Sequence, residues 1–187
     1  MYYIGIFNEK NKFYFFTTLM HRKTARRLYE PFKFDSFDNV GNENLKKIIN
    51  SYQTSNELTV MKKKFSQSGR PPRKVLVPPE FIFTENDMIQ SILEELRVSK
   101  TRILYNSCES KIKDFDIDSS KEKTVFLLDK TYSEGRIIFE RFSSDFNIEN
   151  ELENLNAKSF DDLHPAVKAF SLAVCSNESG KIKIKRY

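Results

Sequence analysis

Apolar positions alternate from the first residues. Tyr2, Ile4 and Ile6 interleave with Tyr3, Gly5 and Phe7, and after the polar stretch Asn8-Glu9-Lys10-Asn11 the pattern resumes over Phe13 to Thr17. A period of two broken by a turn predicts a β-hairpin, and apolar residues on both faces predict a buried one. From Thr18 to Phe32 the spacing of Met20, Ala25, Leu28, Tyr29 and Phe32 predicts a helix closed by Pro31, with Arg22, Lys23, Arg26 and Arg27 on its other side. Leu45, Ile48 and Ile49 predict a helix over Asn42 to Tyr52. Short strands are expected at Leu58 to Met61 and at Val75 to Val77.

Ile89, Ile92, Leu93 and Leu96 form one helical stripe, opened by Thr84 and Asp87 at capping-box spacing. Thr124 to Leu128 and Arg136 to Phe142 are expected to pair as strands around Tyr132-Ser133-Glu134-Gly135. Ile148, Leu152 and Leu155 mark a short acidic helix, and Leu163, Val167, Phe170 and Val174 mark another opening at Pro165. Alternation in Lys181 to Lys185 predicts a half-exposed edge strand. Hairpins and four to six helices without a regular βαβ rhythm predict an α+β fold with a mixed or antiparallel sheet.

At 187 residues, with 17 Phe and 8 Tyr, the chain has enough apolar surface for a real core. One compact domain over 1–187 is expected. Its composition suggests sub-lobes 1–65 (basic) and 80–187 (acidic), joined by the basic Pro/Gly-containing segment 66–79. Apolar runs fall far short of the roughly 20 residues that cross a membrane, so no membrane partner is expected. Cys108 and Cys175 stand far apart, which suits reduced thiols in a cytoplasm, or in a nucleus if the source is eukaryotic.

Charge changes the picture most. Residues 1–79 hold 15 Lys and Arg against 6 Asp and Glu, whereas residues 80–187 hold 16 against 20. An imbalance of this kind points the basic part toward nucleic acid or another polyanion. Lys62, Lys63, Lys64, Arg70, Arg73 and Lys74 fall within thirteen residues with no acid among them. A cationic strip of this kind follows a phosphate backbone and releases counterions as it binds. Arg22, Lys23, Arg26 and Arg27 form a second cationic group.

The stretch Ile92 to Asn106 resembles a helix-turn-helix, or the helical part of a winged-helix element whose wing would be the hairpin expected over 124–142. Val98 would plug the turn, Ser99 would cap a second helix, and Lys100 and Arg102 would stand where that helix meets phosphates or base edges. Three residues depart from the pattern: Leu93 stands where a small residue lets the helices approach, Arg97 replaces the glycine of the turn, and Asn106 sits where an apolar residue is expected. The plainer alternative is one helix followed by a strand over Arg102 to Tyr105. Glu149, Glu151 and Glu153, with Asp145, Asp161 and Asp162, give the second half an acidic face suited to a basic partner.

Enzyme signatures are sparse. His21 and His164 are the two histidines, and Asp87, Glu109 and Lys111 are the fragments from which a metal-dependent nuclease site could be assembled. No phosphate loop, nucleophile elbow or dinucleotide fingerprint occurs, and no cofactor is expected. The reading is a non-enzymatic, nucleic-acid-associated regulatory or accessory protein, partnered by DNA or RNA or by a protein complex that holds it. One alternative is a protein of phage or mobile-element type that inhibits or adapts a nucleic-acid-processing complex. Another is a metal-dependent nuclease.

Overall fold

A computed structural model describes residues 2–23, 26–54, 59–62, 73–76, 81–84, 86–96, 102–105, 120–140, 142, 144–179 and 183–185. The fold is α+β. Strands β1 (Tyr2–Glu9), β2 (Lys12–Lys23) and β3 (Arg26–Asp38) form an antiparallel meander, followed by helix α1 (Asn42–Thr54). Strands β4 (Thr59–Lys62) and β5 (Arg73–Leu76) pair in a two-stranded sheet of their own. Then come β6 (Phe81–Thr84), α2 (Asp87–Glu95), β7 (Arg102–Tyr105), α3 (Ser120–Ser133), α4 (Ile148–Glu153), a single 3₁₀ turn at Leu155–Ala157, α5 (Pro165–Ser179) and β8 (Lys183–Lys185).

The main sheet has the order β3-β2-β1-β6-β7-β8, with β1 parallel to β6, β6 parallel to β7, and β8 antiparallel to β7. Strands from before and after residues 66–79 therefore share one sheet. The two-residue turn between β1 and β2 uses Lys10 (φ 50°) and Asn11 (φ 63°), the left-handed pair that matches the twist of a tight hairpin.

Alternation along β1 sorts the core into two faces. Ile4 and Ile6 pack with Leu45, Ile49 and Tyr52 of α1 and with Ile89, Ile92 and Leu93 of α2. Tyr3 faces the other way, among Ala166, Val167, Phe170 and Val174 of α5 and Leu128 of α3. Gly5 is what lets α5 lie so close to β1: a Cβ there would stand 1.9 Å from the Ala169 carbonyl oxygen.

Three expectations are corrected. Residues 18 to 32 are not a helix but the paired ends of β2 and β3. The apolar residues that imitated a helical stripe are cross-strand neighbours, Met20 opposite Tyr29 and His21 opposite Leu28. Pro31 does not stop the element because it lies opposite Thr18 at the register shift between Thr17 and Thr18, where an irregular ladder tolerates a missing N–H.

The hairpin expected over 124–142 is instead helix α3. Thr124, Leu128 and Thr131 are buried at helical spacing, and Gly135 (φ 64°) ends the helix, its N–H donating to the Tyr132 carbonyl. The supposed turn is a C-cap. The segment after it runs along β3 through a parallel bridge between Tyr29 and Ile137.

The helix-turn-helix also gives way, since Arg102–Tyr105 is strand β7, paired with β6 and β8. Parallel pairing in mid-sheet suits the β-rich run Ile103-Leu104-Tyr105. The cap of α2 is Asn86, whose Oδ1 accepts from the Ile89 N–H at 3.1 Å, while Thr84 supports it by accepting from the Asn86 N–H.

Candidate nucleic-acid interface

The hairpin of β2 and β3 assembles the first cationic group. The register sets Arg22 opposite Arg27 and Lys23 opposite Arg26, so the last two described cross-strand pairs of this ladder are all basic. The described β1 ladder runs to Tyr2 opposite Leu19, and Met20 to Lys23 pair with β3, which the 136–138 segment flanks at Tyr29. Like charges set directly across a ladder oppose folding, so this end of the ribbon holds a positive charge that an anion would relieve. Arg26 is exposed and Arg27 half-buried.

Arg27 is tied to the molecule. It hydrogen-bonds the hydroxyl of the buried Tyr29, which in turn donates to Glu178 Oε1 at 2.6 Å. Burial, and then the neighbouring Glu178 carboxylate, push the Tyr29 phenol far above its usual range. Arg136 closes the network on Glu178 Oε2 at 2.8 Å. The ribbon is thus braced against the end of α5. Beside it, His21 Nε2 lies 2.7 Å from Glu30 Oε2, a carboxylate with no exposed side-chain surface.

The second cationic group also maps to a hairpin, with Lys62 opposite Arg73 and Met61 opposite Lys74 in the β4–β5 ladder. Lys63, Lys64, Arg70 and Lys100 lie outside the described residues, and Arg102 opens β7 opposite Phe81. In both ladders the register sets basic residues opposite one another, twice in β2–β3 and once in β4–β5.

The acidic face is partly self-neutralised. Glu149 and Glu153 on α4 are exposed, whereas Glu151 pairs with Lys158 at 2.6 Å. Asp87 stands exposed in the first turn of α2, and Glu109 and Lys111 lie outside the described residues. Among the described residues no group of three His, Cys, Asp or Glu side chains is placed to hold a metal ion. The two histidines serve different neighbourhoods: His21 meets Glu30, and His164 stacks on Phe146 with ring centroids 4.3 Å apart.

Reasoning from sequence did not single out Lys168. It is 3 % exposed, pairs with Glu9 at 3.0 Å, donates to the Asp161 carbonyl at 3.1 Å and stands over the rings of Phe7 and Phe160. A lysine within an otherwise apolar helix was the available signal.

No protein-family model and no curated protein matches the chain. Among solved structures, RuvC from Thermus thermophilus superposes with a TM-score of 0.46 at 8 % identity, covering 99 % of this chain and 100 % of that one. Among the described residues no helix is long and apolar enough to cross a membrane.

Proposed function

We propose that the protein is a nucleic-acid-binding accessory or regulatory factor whose principal contact is the end of the β2–β3 ribbon. The observation that carries this reading is the register of Arg22 with Arg27 and Lys23 with Arg26. Consecutive cross-strand pairs point to opposite faces of a ribbon, so this arrangement offers cations on both faces. Cations at the end of this ribbon position it on phosphates without reading sequence. The β4–β5 hairpin, with Lys62, Arg73 and Lys74, supplies a second contact of the same kind. The reading attaches no reaction to either hairpin.

The test is fluorescence anisotropy on duplex DNA, single-stranded DNA and structured RNA at several salt concentrations, with Mg²⁺ or with chelator. Binding that weakens steeply with salt and ignores the chelator is expected. Absence of binding at low salt sinks the reading. Strand cleavage that the chelator abolishes replaces it with a metal-dependent nuclease. Charge reversal at Lys62, Lys63 and Lys64 measures the share of the second segment.

A further inference from the structure

The strand order reverses between β1 and β6. From β1 the chain proceeds to β2 and β3 on one side, and from β6 it proceeds to β7 on the other, while β1 and β6 run parallel. In sheets of this kind the carboxyl ends of the two strands at the reversal leave a crevice in which ligands bind. Here that place is a depression of about 510 Å³, within the roughly 300–1,000 Å³ range of small-molecule sites.

Four asparagines line it. Asn8 comes from the end of β1, Asn11 from the β1–β2 turn, Asn39 from the end of β3, and Asn86 from the cap of α2. Buried Phe13 lies below them, and Met88, a large apolar side chain left 37 % exposed, stands at the side. Every lining residue is uncharged.

Local structure occupies only part of this polar capacity. Asn8 gives Nδ2 to the Lys12 carbonyl, and Asn86 gives Oδ1 to the Ile89 N–H. Each of these two carboxamides keeps its other polar atom, an acceptor on Asn8 and a donor on Asn86. The carboxamides of Asn11 and Asn39 form no hydrogen bond among the described residues. Both backbones are left-handed, at φ 63° and 49°, a conformation that glycine serves equally well. Asparagine also takes this conformation readily, so glycine can replace it there without straining the backbone.

Charge then selects among ligands. Helices α1 and α2 both begin at the rim, and such ends favour anions, but each carries an acid in its first turn, Glu43 and Asp87. A phosphate is therefore disfavoured. What fits is a flat, neutral heterocycle with alternating donors and acceptors on its edge and an apolar face for the exposed Met88. Asparagine pairs with such an edge through both ends of its amide, as it does with adenine.

We infer that this depression binds a nucleobase, with adenine as the best match. The inference rests on the nucleic-acid reading for the source of the base, which is either a free nucleoside or an unpaired base in a strand. It does not depend on the cationic ribbon, because Phe13 and Lys23 lie at opposite ends of β2, about 33 Å apart at roughly 3.3 Å per residue.

The experiment uses the full chain and the double variant Asn11→Gly/Asn39→Gly, which removes two carboxamides while keeping backbones that glycine adopts freely. Calorimetric titration with adenosine is run beside anisotropy with a short oligodeoxyadenylate and an abasic strand of equal length. The variant should keep the wild-type melting temperature and lose about tenfold in affinity for adenosine, for the oligodeoxyadenylate, or for both. Loss for adenosine identifies a free-nucleoside site, and loss for the strand alone identifies a strand-borne base. The inference is overturned if neither affinity changes, if neither ligand binds, or if the abasic strand loses as much as the adenylate. The variant Arg22→Gln/Lys23→Gln/Arg26→Gln separates the two claims: it weakens strand binding and reduces its salt dependence if the ribbon reading holds, and leaves adenosine untouched.

Discussion

Replacing Gly5 by alanine adds one carbon to the centre of the fold. The new Cβ would lie 1.9 Å from the Ala169 carbonyl oxygen and 2.9 Å from its carbon, and both are main-chain atoms of α5 that cannot rotate away. Contact at van der Waals distance needs a separation above 3 Å, so α5 must move off β1 by more than an ångström. The helix carries Ala166, Val167, Phe170, Ala173 and Val174, all fully buried, and such a shift loosens each of them. Overpacking of rigid sites costs about 1–3 kcal/mol, and a main-chain clash belongs at the upper end. For a chain of this size that corresponds to a fall in Tm of roughly 6–12 °C. Gly41→Ala is the control, because nothing lies within 4 Å of the Cβ it would add. Thermal and urea unfolding of both variants provide the measurement. A Gly5→Ala protein that melts with the wild type would falsify the close seating of α5 on β1.

Thr18 has a buried Oγ1 with no hydrogen-bond partner among the described residues, so Thr18→Val should raise stability by about 1 kcal/mol in urea titrations, and a loss would mean that the hydroxyl is satisfied. Lys168→Met removes the partner of Glu9 from a site where the lysine is 3 % exposed; because Glu9 retains access to water, the expected cost is about 1–2 kcal/mol, and no change in Tm would contradict it. Burial lowers the His164 pKa, and its Nδ1 accepts from the Ala166 N–H, so folding favours the neutral ring. The unfolded chain then takes up the proton first, and this contribution to stability is full above pH about 6.5 and declines as pH falls below it. His164→Asn should flatten the Tm difference between pH 7.5 and pH 5.5, and an unaltered difference assigns the effect elsewhere.

Elements whose local pattern agreed with their burial were legible in the chain. The alternation of Tyr2 to Phe7 placed β1 inside the sheet, and the stripes of α1, α2, α4 and α5 mark faces that are in fact buried. Misreadings arose where spacing served two geometries. Met20 and Tyr29 suit one helical face and equally a cross-strand pair, and only long-range pairing with β1 and the 136–138 segment decides between them. Thr124 to Leu128 is apolar enough for a buried strand, yet its partners Cys175 and Leu155 come from elements far along the chain. The basic residues at 22 to 27 were visible as a cluster, but their meeting across a ladder was not, because the helix expectation spread them over one face. The asparagine depression was invisible for the same reason: its four members are local turn residues until β1, β3 and β6 share a sheet.

The central claim is that the end of the β2–β3 ribbon binds phosphates. Its most direct test compares the salt dependence of nucleic-acid binding for the wild type and for Arg22→Gln/Lys23→Gln/Arg26→Gln, with Arg27 kept because it braces Tyr29. Each phosphate released lowers the slope of log K against log salt by about 0.9 on duplex DNA and about 0.7 on single strands. Loss of three contacts should therefore reduce the slope by about 2–3, while Tm does not fall because the variant relieves like charges across the ladder. A variant that binds with the wild-type slope would contradict the account.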